Sequence, residues 1–348
     1  MSTALQTQES VEQNVQNAAT PVKFFETMQA YQRSAALKAG IELELFTAIG
    51  DGSKTVDALA EKLDASKRGV RILCDFLVVL GFLTKRNDQY GLTADAAVFL
   101  DKKSPAYAGN AVKFLASPTV MGGFSDLATV VRTGKPLADK PFVDNESQAW
   151  VDFARGMAPL AFMIAQAAEK ILRTNSPLKV LDVAAGHGMF GLAIARQNPL
   201  ASITALDWPS VLAVTQENAH RWNVSQRVQL LPGDARDVPL GTGFDLVLLP
   251  NILHQWDRRT IQQFLDRARA ALVPGGRVAI IELAPNDHRI SPPISAAFAL
   301  NMLANTPAGD AYTVSEYQEM LGQSGLFPSE VHGLAPTPHT LIVGIKRT

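Results

Sequence analysis

From Leu178 to the end of the chain, short apolar runs alternate with segments of helical periodicity, and this alternation restricts the fold more than any other feature. "LKVLDVA" is followed by "FGLAIARQN" and "ASITALD" by "SVLAVTQENAHRW"; then come "VQLLPGD", "FDLVLLPN", "RTIQQFLDRARAAL", "RVAIIELAP" and "HTLIVGIKR". Continuous apolar strands with helical spacers predict a parallel sheet covered on both faces, since such strands have no polar side to show to water. Ligands of these sheets bind at the carboxyl ends of the strands. The residues at those ends are therefore the candidates for chemistry.

The first strand ends in Asp182, followed by "GHGMFG", in which Gly186, Gly188 and Gly191 form a literal G-x-G-x-x-G. The second ends in Asp207 before Trp208, the third in Asp234 before Ala235, the fourth in Asn251 with His254 and Trp256 close behind, and the fifth in Glu282. Asp207 lies about twenty residues beyond the glycine loop, a spacing that suits hydrogen bonding to ribose hydroxyls. That much fits a nicotinamide cofactor and S-adenosylmethionine equally. Asp182 is read as the discriminating residue: a carboxylate beside the loop repels a pyrophosphate and attracts a cationic amino-acid tail and its sulfonium. Asp234 is then expected to accept from an adenine amino group. The competing reading for each acid alone is a helix cap or a turn. An imidazole, whose reference pKa is ~6.5, suits proton removal from a phenol or enol, which makes His254 the candidate base, and Glu282 on the neighbouring strand end suits holding it.

The rest of the chain bounds the organisation. Its 348 residues, net charge of −1 and 47% hydrophobic content describe a soluble protein long enough for two domains, with no overall charge for a polyanionic partner. Residues 1–20 are polar and Gln/Asn-rich and read as a disordered tail without a signal peptide, which together with the lack of a membrane-spanning run predicts a cytoplasmic protein. One cysteine, Cys74, has no internal partner, lies in the apolar run "RILCDFLVVLGFL" and reads as a core filler in a reducing compartment.

Residues 21–115 are mainly helical, and two helices joined at "DAS" with two short strands around "KRNDQYG" form the plan of a winged helix. DNA binding would use Lys67, Arg68 and Arg71, but the remaining "ILCDFLVVLGFL" sits badly in a major groove and suits burial against another subunit or domain. Residues 116–175 read as a connector and pocket helices. There Phe153, Met157, Phe162 and Met163 are taken to share one helix face, as plain core or as a pocket wall. Residues 176–348 form the ligand-binding domain.

"VLDVAAGHGMFG", "ALDWPSV", "LPGDARDVP", "LPNILHQWDRRT", "ALVPGGRVAIIEL" and "TPAGDAYTVSEYQEMLGQSGL" occur in the order found in class I S-adenosylmethionine-dependent methyltransferases. More narrowly, the chain resembles the dimeric small-molecule O-methyltransferases. The resemblance implies an α/β fold, a Rossmann-like doubly wound seven-stranded sheet preceded by a winged-helix dimerisation domain. It also implies a homodimer without nucleic acid or membrane partners, no metal, S-adenosylmethionine as cofactor with S-adenosylhomocysteine as product, and a small hydroxylated, aromatic or apolar acceptor.

Residue by residue, it assigns Asp182, Ala184, Gly186, Gly188, Asp207, Trp208, Asp234, Ala235 and Asn251 to the cofactor and His254 and Glu282 to catalysis. Substrate contacts fall on Phe153, Met157, Phe162, Met163, Trp256, Phe298, Asn301 and Met302. Two departures stand out. Plant members carry a second Glu where this chain has Ala311, so Asp310, one residue earlier, is the candidate replacement. They also carry Asp where this chain has Gln255. An S-, N- or C-methyltransferase needs no such base and stays open, as do a nicotinamide oxidoreductase, a winged-helix DNA regulator and a cofactor-binding protein that transfers no methyl group.

Overall fold

The computed structural model describes residues 19–137 and 146–347. Residues 1–18 of the expected tail and the middle of the connector lie outside the described residues. The chain divides into two compact units, Met1–Pro105 and Ala106–Thr348.

In the first unit, α1 (Val22–Met28), α2 (Tyr31–Glu42), α3 (Leu45–Ile49), α4 (Val56–Lys62), α5 (Lys67–Val79) and α6 (Ala94–Phe99) surround a small antiparallel sheet. Its strands β1 (Lys54–Thr55), β2 (Leu83–Arg86) and β3 (Gln89–Leu92) run in the order β1-β3-β2, which completes the winged helix. The starts of α4 and α5 follow from the sequence: Thr55 and Ser66 cap them by accepting from the main-chain N–H groups of Ala58 and Gly69. Helix α5 buries Val70, Cys74 and Leu77 along one stripe. Burial pushes the Cys74 thiol up to about 12, so it packs as a core group. Two of the three basic residues of its first turns are matched at home, Lys67 by Asp57 at 2.6 Å and Arg71 by Asp75 at 3.1 Å. Outward, α5 shows Ile72 and Val79, and α1 shows Val22, Phe24, Phe25 and Met28.

The second unit holds seven strands in the order β6-β5-β4-β7-β8-β10-β9. These are β4 (Leu178–Val183), β5 (Ala201–Asp207), β6 (Val228–Pro232), β7 (Phe244–Pro250), β8 (Leu272–Glu282), β9 (Leu326–Gly333) and β10 (Thr340–Lys346). The five β4–β8 are parallel, and β10 is antiparallel to both its neighbours. Alternation along each central strand divides its side chains between two cores. Val180, Leu246, Leu248, Ala279 and Ile281 pack on one face with α7 (Gln148–Leu172) and α8 (Met189–Gln197). Leu181, Val183, Val247, Leu249, Val278 and Ile280 pack on the other with α10 (Arg258–Ala271) and α12 (Val314–Gln323). Helices α9 (Pro209–Arg221) and α11 (Pro293–Asn305) complete the unit used below. The seventh strand, β9, buries only Leu326 fully; as an edge strand it has no apolar run by which the sequence could announce it. Among the described residues, no helix is long and apolar enough to cross a membrane.

Candidate active site

The glycine loop after β4 is shaped by backbone geometry and held by α9. Gly186 and Gly188 have φ of 58° and 75°, in the left-handed region that favours glycine. A Cβ on Gly188 would lie 2.7 Å from Thr215 Cγ2. Thr215 and Asn218 donate from their side chains to the carbonyl oxygens of Gly186 and His187, at 2.8 and 2.9 Å, and tie the loop to α9. Gly191 serves helix–sheet packing, since a Cβ there would lie 2.7 Å from Ile203 Cγ2. At the strand ends, Ala184 and Asn251 also adopt positive φ, 51° and 53°; for residues with a side chain this costs of order 1–2 kcal/mol each.

These strand ends form one wall of an open cleft of about 670 Å³, the solvent space at its mouth included. Nine residues assigned from the sequence line it: Phe153, Ala184, Gly186, Asp207, Trp208, Asp234, Ala235, Asn251 and Trp256. Asp207 accepts from Gly186 N–H through one oxygen and from Trp208 N–H through the other, both at 2.7 Å, leaving each oxygen with further lone pairs. Burial pushes its carboxyl up to about 6 against those two N–H groups. Asp234 is clasped by Arg236, whose Nη2 lies 2.6 Å from Oδ2, and the pairing holds its carboxyl below the ordinary value. The loop that carries both is braced by Arg267 of α10, which donates to the main-chain oxygens of Ala235, Arg236 and Val238.

Asp182 is not part of this wall. It follows Val180 by two residues, so the strand's alternation turns it to the face covered by α8. There it is 1% exposed, one oxygen accepts from Gly191 N–H at 2.9 Å, and the other has no partner among the described residues. Burial pushes its carboxyl up to about 8. The acid read as meeting the ligand's positive charge is instead a buried brace beneath the loop. Gly188, likewise, shapes the loop without lining the cleft.

Beside the cleft residues Ile252, Gln255 and Trp256, His254 and Glu282 form a buried pair, 6% and 1% exposed. Glu282 Oε2 stands 2.7 Å from His254 Nδ1, while Oε1 accepts from the main-chain N–H of Leu253 at 2.9 Å and of His254 at 3.3 Å. A carboxylate can only accept, so Nδ1 carries the proton and Nε2 keeps its lone pair. The Phe298 ring meets the imidazole edge-on at 4.7 Å between centroids.

Asp310 does not supply a second carboxylate. Its side chain is 42% exposed, with Oδ2 on Arg289 at 3.2 Å and Oδ1 on its own neighbour's N–H, because the Arg289 cation outside holds it. The segment acts through its main chain instead: Asp310 N–H donates to the His254 carbonyl oxygen at 2.9 Å, next to Gly309.

The aromatic and Met helix also departs from its reading. Nine residues make about 2.5 turns, so Phe153 and Phe162 point to opposite sides of α7. Phe153 lines the cleft with Trp150, whereas Phe162 packs edge-on against Trp222 at 5.4 Å in the core. Met157 and Met163 are half-buried, and Met302 is buried on α11 with Asn301 preceding it; none of the four lines the cleft. Trp150, Val211, Arg236 and Gln255 line it without having been singled out as ligand contacts. Trp150 was legible, one turn before Phe153 on the same helix face.

Residues 123–327 match the family model of the O-methyltransferase domain, and residues 25–102 that of the O-methyltransferase dimerisation domain. The chain is 30% identical over 321 residues to the 3-hydroxy-5-methyl-1-naphthoate 3-O-methyltransferase of Streptomyces sahachiroi, covering 90% of this chain and 92% of that one. A crystal structure of a Nostoc punctiforme protein, 45% identical, superposes with a TM-score of 0.90 over 95% of this chain and 100% of its own. Human N-acetylserotonin methyltransferase in complex with S-adenosylmethionine, 21% identical, shares the fold with a TM-score of 0.84 over 95% and 99% of the two chains.

Proposed function

The chain is an S-adenosylmethionine-dependent member of the O-methyltransferase family, and we propose that it methylates a hydroxyl group of a small aromatic metabolite with His254 as general base. The observation that carries the base is the Glu282 carboxylate on Nδ1, which leaves Nε2 as a proton acceptor. The naphthoate substrate in the name of the Streptomyces relative supports the aromatic acceptor. The cleft suits the cofactor: Asp207 offers free lone pairs to a pair of ribose hydroxyls, and Asp234 with Ala235 and Arg236 borders the adenine end.

When bound, S-adenosylmethionine supplies an electrophilic methyl group on a cationic sulfur. Ala184, Gly186 and Asn251 shape the cleft, and Asp207 would hold the ribose. Phe298 orders the imidazole, and His254 Nε2 would take the hydroxyl proton as the methyl–oxygen bond formed and the methyl–sulfur bond broke, leaving S-adenosylhomocysteine. Glu282 then stabilises the imidazolium. Positioning supplies most of the acceleration and the base about 10²–10⁴. Incubation with methyl-labelled S-adenosylmethionine and a panel of hydroxynaphthalenes and hydroxyanthraquinones should give labelled methyl ethers. Label on sulfur, nitrogen or carbon alone would remove the O-methylation reading.

The dimerisation domain supports a homodimer, built on the apolar side chains that α1 and α5 turn outward. Sedimentation should give about twice the 37.5 kDa chain mass; a particle of single-chain mass at micromolar concentration would contradict it.

A further inference from the structure

Two side chains of opposite charge line the cleft beyond β6 and are locked together: Asp234, and Arg236 two residues later. Asp234 Oδ1 accepts from the Arg236 main-chain N–H at 2.8 Å and from Nε at 3.0 Å. Oδ2 accepts from Nη2 at 2.6 Å and from the same Nε at 3.1 Å. Oδ1 thus has both lone pairs engaged, and Oδ2, which only shares Nε, keeps the more open acceptor position. Burial pushes the Asp234 carboxyl up, but the Arg236 hydrogen bonds and charge, with the Arg267 cation, outweigh it and hold the group below its ordinary value. Asp207, the other acid lining the cleft, accepts from two main-chain N–H groups instead and is pushed up to about 6. The loop does not need the fork for its own shape. Gly233 N–H donates to the Asp207 carbonyl oxygen at 3.0 Å, and the Asp237 and Val238 N–H groups donate to that of Asp234 at 3.1 and 2.9 Å. Arg267 holds three further oxygens of the loop. What the Arg236 fork adds is control of one carboxylate.

We propose that Arg236 is a positioning residue that makes the cofactor site selective for an amino-bearing purine, by holding Asp234 as a fixed hydrogen-bond acceptor. Adenine turns an exocyclic N–H toward Oδ2 and is accepted. Hypoxanthine puts an oxo group at the same place, and two acceptors then face each other with no proton between them. An aspartate without the fork escapes this by taking a proton and donating it to the oxo group; Arg236 closes that route by keeping the carboxylate ionised. The proposal rests on the reading that puts adenine against Asp234, and it adds a residue that the family resemblance leaves unassigned.

The test is calorimetry on the full-length protein at pH 7.5 and 5.0, comparing S-adenosylhomocysteine with S-inosylhomocysteine, which has an oxo group in place of the amino group. The unaltered protein should prefer S-adenosylhomocysteine by about ten- to a hundredfold at both values. Weakening at pH 5.0 through Asp207 falls on both ligands, which share the ribose, and cancels in the ratio. Arg236→Leu should keep the preference at pH 7.5 and lose at least about fivefold of it at pH 5.0, where the unclasped carboxyl takes up a proton. S-adenosylhomocysteine binding at pH 7.5 shows that this variant is folded, and Arg236→Gln repeats the test if it is not. Asp234→Asn, whose amide can offer either atom, should bring the two ligands within about threefold of each other. A merely structural role for Arg236 would weaken both ligands alike, so a ratio in Arg236→Leu that does not change between the two pH values overturns the proposal. Equal binding by the unaltered protein, or a preference that survives Asp234→Asn, would remove adenine from Asp234 and the proposal with it. A preference that Asp234→Asn abolishes and Arg236→Leu keeps at pH 5.0 would leave adenine there and remove the role of Arg236 alone.

Discussion

Glu282→Gln is expected to reduce methyl transfer about as severely as His254→Ala, by roughly 10²–10⁴ in kcat, although it changes a single atom. The main-chain N–H groups of Leu253 and His254 both donate to Glu282 Oε1. A glutamine must place its carbonyl oxygen there, which turns its NH₂ group toward His254 Nδ1. Nδ1 then has to accept, the ring proton moves to Nε2, and the lone pair that takes the hydroxyl proton is gone. Single-turnover rates with S-adenosylmethionine in excess will measure the chemical step, and calorimetry with S-adenosylhomocysteine should show cofactor affinity within about twofold of the unaltered protein. A Glu282→Gln rate within threefold of normal would mean that the imidazole is not the base.

Asp207→Ala should weaken S-adenosylmethionine binding by about 1.5–3 kcal/mol, the loss of charge-assisted hydrogen bonds to the ribose together with the Gly186 N–H tether. The pH dependence follows from its raised pKa. If Asp207 holds the ribose, the ribose hydroxyls would donate to the ionised carboxylate, so binding would favour that form. Above pH about 6 the group is already ionised and affinity is flat; below it the carboxyl must first release a proton, and affinity falls by up to tenfold per pH unit. Asp207→Asn, neutral throughout, should bind weakly and lose the break near pH 6. A break that persists unchanged in Asp207→Asn would assign it to another group.

Strand ends were the most legible part of the molecule. Asp207, Asp234, Asn251 and the His254–Glu282 pair each followed from locating the ends of apolar runs, because a parallel sheet brings every such end to one edge. Asp182 was legible as a strand-end acid but not as a cleft residue. Two-residue alternation from Val180 would have turned it under α8, whereas proximity to the glycines in sequence suggested the ligand. Phe162 failed for the matching reason on a helix: apolar residues nine apart look like one stripe in text and lie half a turn out of phase in space. The bracing of the cleft loop by Arg267 depends on contacts between its side chain and main-chain oxygens some thirty residues earlier, which no spacing rule specifies.

Near the base, sequence similarity directed attention to the side chains at 310 and 311, yet the chain touches His254 there only through the Asp310 amide. That contact needs the two backbones to run almost in van der Waals touch, and at Gly309 a methyl group would fall 2.3 Å from the His254 carbonyl oxygen. The position with least room for a side chain is thus the one with no side chain to read, while the acid beside it faces the Arg289 cation outside. The acid side chain and the peptide beside it thus do separate work: Asp310 answers the Arg289 cation outside, while its main-chain N–H holds the backbone from which His254 projects toward Glu282.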